Sequence, residues 1–230
     1  MSPRTTTTPS SSGEPARPIT LAVVSAGMSD ASSTRLLADR LAEATLGALG
    51  AVPVRVERVD LRPLAHAIAD HLLTGFPGPQ LREALEAVTG ADALIAATPA
   101  FKASYSGLFK SFFDLVEEGA LADLPVLVAA TGGTARHSLM LDTAMRPLFA
   151  HLRALVLPVG VYAATEDWAG ESLEERIRRA GTQLAHLAAP ARGEGGRAAG
   201  GSSAGGLRPA RGEGFAEVPD FADLLARAGQ

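Results

Sequence analysis

The segment Ala91–Gly107, ADALIAATPAFKASYSG, has the pattern of a buried strand that runs into a polar loop and then opens a helix. Residues 94–97 are wholly apolar, as in a strand covered on both faces of a parallel sheet. Pro99 marks the end of the strand, because it lacks the N–H that a central ladder needs. In open α/β sheets, ligands bind outside the carboxyl ends of the strands, where such loops lead into helices. The segment therefore predicts a ligand loop over residues 98–107.

The alternation of strand and helix continues along the chain. The hydrophobic pattern predicts strands at 19–24, 53–59, 91–98, 125–131 and 155–162. It predicts helices over 36–48, 80–89, 108–118, 137–153 and 172–187, and a long connection over 60–79. Five strand–helix units predict an α/β fold with a doubly wound parallel sheet and helices on both faces.

The two ends of the chain differ in composition from this core. Residues 1–17 are rich in Thr, Ser and Pro, so we expect a disordered tail. The domain then covers 18–189, and the Gly-, Ala- and Arg-rich residues 190–214 read as a flexible linker. Residues 215–230 form a short amphipathic segment, which fits a docking helix and a frayed tail equally well.

Composition excludes several classes of function. The net charge is −4 and no long basic run occurs, so we expect no nucleic-acid partner. The chain has no cysteine, which removes disulfides and thiolate chemistry. No apolar run approaches the roughly 20 residues of a membrane span, and the first residues lack the apolar core of a secretory signal. We therefore expect a cytoplasmic protein without a membrane partner. The histidines lack metal-ligand spacing, so no metal site is predicted.

The loop after the first strand is rich in hydroxyl groups. Hydroxyls from Ser25, Ser32, Ser33 and Thr34 could donate to a phosphate at the start of the following helix, and Arg35 could add a charge-assisted contact. The loop has neither the dinucleotide-binding glycine pattern nor a Gly-Lys-Ser/Thr phosphate loop. It therefore points to a mononucleotide such as FMN, although serines also serve as ordinary helix caps.

Two further loops could hold a planar ring. In residues 98–107, backbone amides could contact the ring edge while Phe101 or Tyr105 covers one side, and Ser106 alternatively caps the next helix. The paired glycines of the turn Thr131–Thr134 expose N–H groups that could hold the pyrimidine carbonyl of a flavin, or form a plain turn. His137 follows directly and could touch the flavin or a nicotinamide phosphate, or lie on the surface.

Three stretches resemble the NADPH-dependent FMN reductases of the flavodoxin-like fold: TPAFKASYSGLFKSFFDLV, VLVAATGGTARHSLMLDTAMRPLFAHLRA, and the serine-rich first loop followed by SSTRLLADRL. The resemblance covers roughly residues 18–188, and the first stretch is its most specific part. The chain is most similar to the actinobacterial branch that partners luciferase-like monooxygenases. The first loop departs from the Ser-Pro-Arg opening of some members.

The resemblance implies a five-stranded sheet of order 2-1-3-4-5 and a set of FMN contacts. At the phosphate it implies Ser25, Ser32, Ser33, Thr34 and Arg35. Along the ring it implies Pro99, Ala100, Phe101, Ser104, Tyr105 and Ser106, and at the ring edge Thr131, Gly132 and Gly133. No side chain is expected to act as a catalytic acid or base.

The implied reaction is hydride transfer from NADPH, or from NADH, to FMN. Reduced FMN would then pass to a partner monooxygenase, and the implied assembly is a homodimer or homotetramer through the helices after strands three and four. Two alternatives stay open at this point. One is an FMN-dependent quinone or azo-dye reductase with permanently bound flavin, and the other is a non-enzymatic flavodoxin-like electron carrier.

Overall fold

A parallel sheet forms the centre of the computed structural model, which describes residues 17–29 and 31–189. The strands are β1 Ile19–Ser25, β2 Val54–Asp60, β3 Ala93–Pro99, β4 Pro125–Gly132, β5 Leu155–Val156 and β6 Val161–Ala164. Their order is β2-β1-β3-β4-β5, every pairing is parallel, and β6 also pairs with β4. The flavodoxin-like order 2-1-3-4-5 is confirmed, with β5 and β6 together occupying the fifth position.

The fifth strand is interrupted at its proline. Pro158 has no N–H to donate to the sheet, so the ladder stops there. The carbonyls of Leu157 and Pro158 accept hydrogen bonds from the guanidinium group of Arg146. The predicted continuous strand 155–162 is therefore two short pieces. The second piece ends beside the carboxyl end of β4, which matters for the site described below.

Within residues 17–29 and 31–189, six α-helices surround the sheet: α1 Ser33–Leu49, α2 Ala65–Thr74, α3 Pro79–Thr89, α4 Gly107–Phe113, α5 Arg146–His151 and α6 Glu171–Ala188. On one face, α1 and α6 bury aliphatic side chains such as Leu37, Leu41 and Ile177 against β1, β3 and β4. On the other face, α4 and α5 bring together the aromatic rings of Phe109, Phe113 and Phe149. The doubly wound architecture is thus confirmed.

Three helix predictions need correction. The helix predicted over 108–118 ends at Phe113, as α4. The connection over 60–79 contains α2, which sequence reasoning missed because only Ile68 of this helix is buried and its pattern is weak. The predicted helix 137–153 is divided into a 3-10 turn at Ala135–His137, a π-helical turn at Leu141–Met145 and α5. Pro147 has no amide to donate to the preceding turn, and the Arg146 amide bonds the carbonyl of Leu141 instead, which widens the helix there.

The segments predicted as the linker 190–214 and the C-terminal piece 215–230 lie outside the described residues, as does nearly all of the tail 1–17. Among residues 17–29 and 31–189, no helix is long and apolar enough to cross a bilayer.

Candidate functional site

The loops that follow β1, β3 and β4 line one cleft of about 430 Å³ at the carboxyl edge of the sheet. Most of the predicted site residues border it: Ser32, Ser33, Thr34, Pro99, Ala100, Phe101, Thr131, Gly132 and Gly133. Further lining residues are Met28, Ser29, Ala31, Thr165 and Trp168. None of these described residues is titratable, and the polar groups that they offer are hydroxyls and backbone amides.

The start of α1 gives the cleft its anion-binding end. Ser32 is the N-cap, and its hydroxyl accepts a hydrogen bond from the Arg35 amide at 3.3 Å. The amides of Ser33 and Thr34 lie in the first turn, where an α-helix offers no carbonyl partner to them. Together with the positive end of the helix dipole, they form a site suited to a phosphate group.

The cation predicted for this end, Arg35, lies in an adjoining groove rather than in the cleft lining. Its guanidinium group is 3.2 Å from a carboxylate oxygen of Asp60, and its side chain is half exposed. The charge-assisted contact to a phosphate therefore competes with an existing ion pair. Ser25 is also outside the lining: its side chain is buried below the loop, and its hydroxyl accepts from the Gly27 amide at 3.4 Å.

A tight turn carries Phe101 to the rim of the cleft. The Phe101 amide donates to the Ser104 carbonyl at 2.9 Å, and the return bond measures 3.2 Å. Lys102 and Ala103 between them have φ values of 51° and 63°, which costs conformational energy in residues other than glycine. Ala100 donates its amide to the Thr131 carbonyl at 2.7 Å. Several amides that sequence reasoning offered to a ring are thus already engaged within the protein.

The end of this loop serves the fold. Ser106 is buried and caps α4, because its hydroxyl accepts a hydrogen bond from the Phe109 amide at 3.3 Å. Tyr105 packs 5.8 Å from the ring of Phe109 and borders a second groove, between α4 and α5, rather than the cleft. The capping alternative therefore explains Ser106. The structure does not bring Ser104, Tyr105 or Ser106 into the lining with Phe101.

The turn after β4 is held from two sides. The hydroxyls of Thr34 and Thr131, both buried, lie 2.7 Å apart and join the start of α1 to the end of β4. The Tyr162 hydroxyl on β6 donates to the Thr134 carbonyl at 3.0 Å. A Cβ on Gly132 would overlap this hydroxyl, so glycine is required there by a contact inside the protein. Burial, with Glu166 and Asp167 nearby, raises the pKa of Tyr162 and keeps its hydroxyl protonated.

Gly133, by contrast, faces open space. A Cβ built on it would meet no heavy atom within 4 Å, and its amide makes no hydrogen bond to another described residue. The neighbouring Thr134 amide is likewise without such a bond. These two amides are donors that a ring edge could use. His137 lies in the exposed 3-10 turn that follows and is not among the cleft residues.

Trp168 supplies an aromatic wall that the candidate set from the sequence lacked. It belongs to a 3-10 turn at Thr165–Ala169, directly after β6, and is half-buried. The guanidinium carbon of Arg40 lies 5.5 Å from the indole centroid, and Arg40 is ion-paired with Glu174 on α6. The sequence contains a single tryptophan, which lies shortly after the last predicted strand. Because β6 pairs with β4, this tryptophan borders the same cleft as the turn after β4.

The cleft fits FMN on three observations. One end has the unpaired amides of a helix start, the other has the open amide of Gly133, and Phe101 and Trp168 add aromatic surface. Among the described residues, no group of histidine, aspartate or glutamate side chains could hold a metal ion. Fold and cleft together are those of a flavodoxin-like protein with a candidate mononucleotide cleft at the carboxyl edge of the sheet.

The chain belongs to the NADPH-dependent FMN reductase family, whose pattern it matches over residues 19–169. It is 38% identical over 176 residues to an FMN reductase (NADPH) from Pseudomonas aeruginosa, covering 74% of this chain and 92% of the relative. It is 39% identical over 176 residues, with the same two coverages, to the NADH-dependent FMN reductase SfnF from Pseudomonas fluorescens.

A solved structure has the same fold as this chain. It is an oxidoreductase from Corynebacterium diphtheriae, 44% identical to this chain, with a TM-score of 0.73. The superposition covers 75% of this chain and 97% of that one. Because the two bacterial relatives above are named for different nicotinamide donors at nearly equal identity, the likeness does not select NADPH over NADH.

Proposed function

We propose that this protein is an NAD(P)H-dependent FMN reductase that transfers a hydride from a reduced nicotinamide to FMN. One observation carries the proposal. A single cleft joins the start of α1, with its unpaired amides, to the open Gly133 amide, and none of its described lining residues is titratable. Such a site suits a reaction in which catalysis consists of positioning two planar rings.

The residues take distinct parts in this proposal. Ser32 and the amides of Ser33 and Thr34 bind the phosphate, while the Gly133 amide holds the ring edge. Phe101 and Trp168 limit the space beside the ring. When bound, FMN supplies the N5 position that accepts the hydride. The amide at the ring edge favours the negative charge that the reduced flavin carries near N1.

We further propose that FMN behaves as a substrate that enters and leaves, and that the reduced form goes to a separate flavin-dependent monooxygenase. Arg35 is already paired with Asp60, so phosphate binding depends mainly on neutral donors and should be of modest strength. The family resemblance of the three loops supports such a partner. The cytoplasm is the compartment we propose for this exchange.

The assembly proposed from the resemblance is a homodimer or homotetramer that uses α4 and α5. A groove of about 410 Å³ lies between these helices and is bordered by Tyr105, Leu148 and His151. Its mixed apolar and polar lining is compatible with burial against another copy. Sedimentation equilibrium of the full chain tests this proposal, and a monomer at micromolar concentration would overturn it.

The activity is tested by the oxidation of NADPH and of NADH by flavin-free protein, with and without added FMN. We expect oxidation that depends on FMN and saturates with it, and the ratio of the two rates gives the donor preference. Rapid turnover of a quinone or azo dye, with flavin that stays bound through purification, would favour the permanent-flavin reductase instead. Tight FMN binding without oxidation of either donor would indicate an electron carrier.

A further inference from the structure

The turn Thr131–Thr134, which carries the open amides, is held in place by two long-range hydrogen bonds. At its start, the Thr131 hydroxyl meets that of Thr34 across 97 residues of sequence. At its end, the Thr134 carbonyl accepts from the Tyr162 hydroxyl across 28 residues. Gly133 lies between these two anchored residues and has open space beside it. The orientation of its amide is therefore set by contacts outside the turn itself.

We propose that Tyr162 is a positioning residue whose hydroxyl, by holding the Thr134 carbonyl, fixes the end of the turn and thereby keeps the Gly133 amide directed at the flavin ring edge. The inference rests on the proposed function, because it concerns the same flavin site. Tyr162 is itself not among the residues that line the cleft, so it acts through the turn and not by touching the ligand.

The packing around the hydroxyl supports a role beyond filling space. The Tyr162 side chain is nearly inaccessible to solvent, and the hydroxyl is so close to Gly132 that no Cβ could stand there. A phenylalanine would fit the same position but would leave the Thr134 carbonyl without its donor. The Thr134 end of the turn could then shift, because the other side-chain anchor of the turn, the Thr34–Thr131 hydroxyl pair, lies at its opposite end.

The hydroxyl is also kept in its donating form. Glu166 and Asp167 are close enough to add to the effect of burial, and all three raise the pKa of Tyr162 above its ordinary value. The Asp167 carboxylate is held in position, because it accepts a hydrogen bond from the Ala164 amide at 2.8 Å and forms an ion pair with Arg176 at 2.9 Å. The carboxylates therefore stay near the phenol and disfavour its ionisation.

The test compares wild type with Tyr162→Phe by FMN and riboflavin affinity and by the midpoint potential of bound flavin. A lost hydrogen bond of ordinary strength corresponds to about 2- to 10-fold weaker binding. We expect that loss for both ligands, because riboflavin keeps the ring and lacks only the phosphate. We also expect a more negative midpoint potential, since a poorly aimed amide stabilises the reduced flavin less.

Thr45→Val is the matched control. Its buried hydroxyl donates to the Leu41 carbonyl at 2.8 Å inside α1, so the variant also loses one buried hydrogen bond to a carbonyl. It should melt at a lower temperature with flavin affinity and potential unchanged. If Tyr162→Phe melts at a lower temperature, the affinities are measured well below its transition.

The outcomes separate the two proposals. Wild type that binds no flavin would overturn the proposed function. Wild type that binds flavin, with Tyr162→Phe equal to it in both affinity and potential, would overturn the positioning role alone. A loss confined to FMN, with riboflavin unaffected, would also overturn it, because the effect would then lie at the phosphate.

Discussion

Trp168 is the single tryptophan of the chain, and it lies in the wall of the cleft. Intrinsic fluorescence therefore reports on one known position. We expect added FMN to quench this fluorescence with the same saturation as the change in the flavin's own emission. We expect Trp168→Ala to weaken FMN binding by about 2- to 10-fold, the range of a lost aromatic contact.

Trp168→Phe is the control for this measurement, because it keeps an aromatic face while removing the indole signal. It should bind FMN nearly as wild type does. A wild-type tryptophan signal that stays constant while flavin emission changes would place the flavin away from this wall.

The raised pKa of Tyr162 in the folded protein predicts how the free energy of unfolding changes with pH. The stability that comes from holding this phenol protonated is complete below the unfolded pKa of about 10 and is lost as pH rises through the folded value. Urea unfolding at increasing pH above about 9 should therefore show a steeper loss for wild type than for Tyr162→Phe. Parallel curves for the two proteins would contradict the raised pKa.

At the level of elements, α1 and α6 approach each other closely at Gly181. A Cβ on Gly181 of α6 would lie 2.7 Å from the Cβ of Ala44 and 2.8 Å from the Thr45 nitrogen. Because backbone cannot give way as a side-chain end can, Gly181→Ala should destabilise the protein by about 1–3 kcal/mol. The measurement is the midpoint of urea-induced unfolding, and the dependence of the unfolding free energy on urea concentration should stay unchanged.

Gly47, on the exposed side of α1, provides the opposite case. A Cβ there meets nothing within 4 Å, and the helix gains a better helix former. Gly47→Ala should raise stability by about 0.5–1 kcal/mol. If both variants changed stability in the same direction, the close approach of α1 and α6 would not be the cause.

At the level of the whole molecule, the cleft connects elements that are far apart in sequence, so a ligand bound there should stabilise the fold. At FMN concentrations about a hundredfold above Kd, the expected gain is about 2.7 kcal/mol, or several degrees in the melting temperature. Riboflavin should give a smaller shift at equal concentration because it lacks the phosphate for which we propose the start of α1 as the binding site. Equal shifts for the two would mean that the start of α1 does not bind phosphate.

The sheet and the position of its loops could be predicted from the sequence. Continuous apolar runs mark buried parallel strands, and crossover connections restrict the order in which such strands can lie. The interruption at Pro158 and the widened helix before Pro147 were missed, although proline was the cause of both. The shape of the chain at these two prolines depends on which donors the nearby carbonyls find. Arg146 is the donor for the Leu157 and Pro158 carbonyls, and it lies 11 and 12 residues before them.

The site shows the same division. Serines after β1, a polar loop after β3 and paired glycines after β4 are local patterns, and the hydroxyl-rich start of α1 and the Gly133 turn were identified from them. Tertiary structure alone decided that Arg35 pairs with Asp60 and that the Thr34 and Thr131 hydroxyls form a hydrogen bond. It also decided that the Tyr162 hydroxyl donates to the turn Thr131–Thr134. These contacts join residues 25, 97 and 28 positions apart through the register of neighbouring strands and the packing of α1 on the sheet, both of which are properties of the folded domain that no local pattern of residues contains.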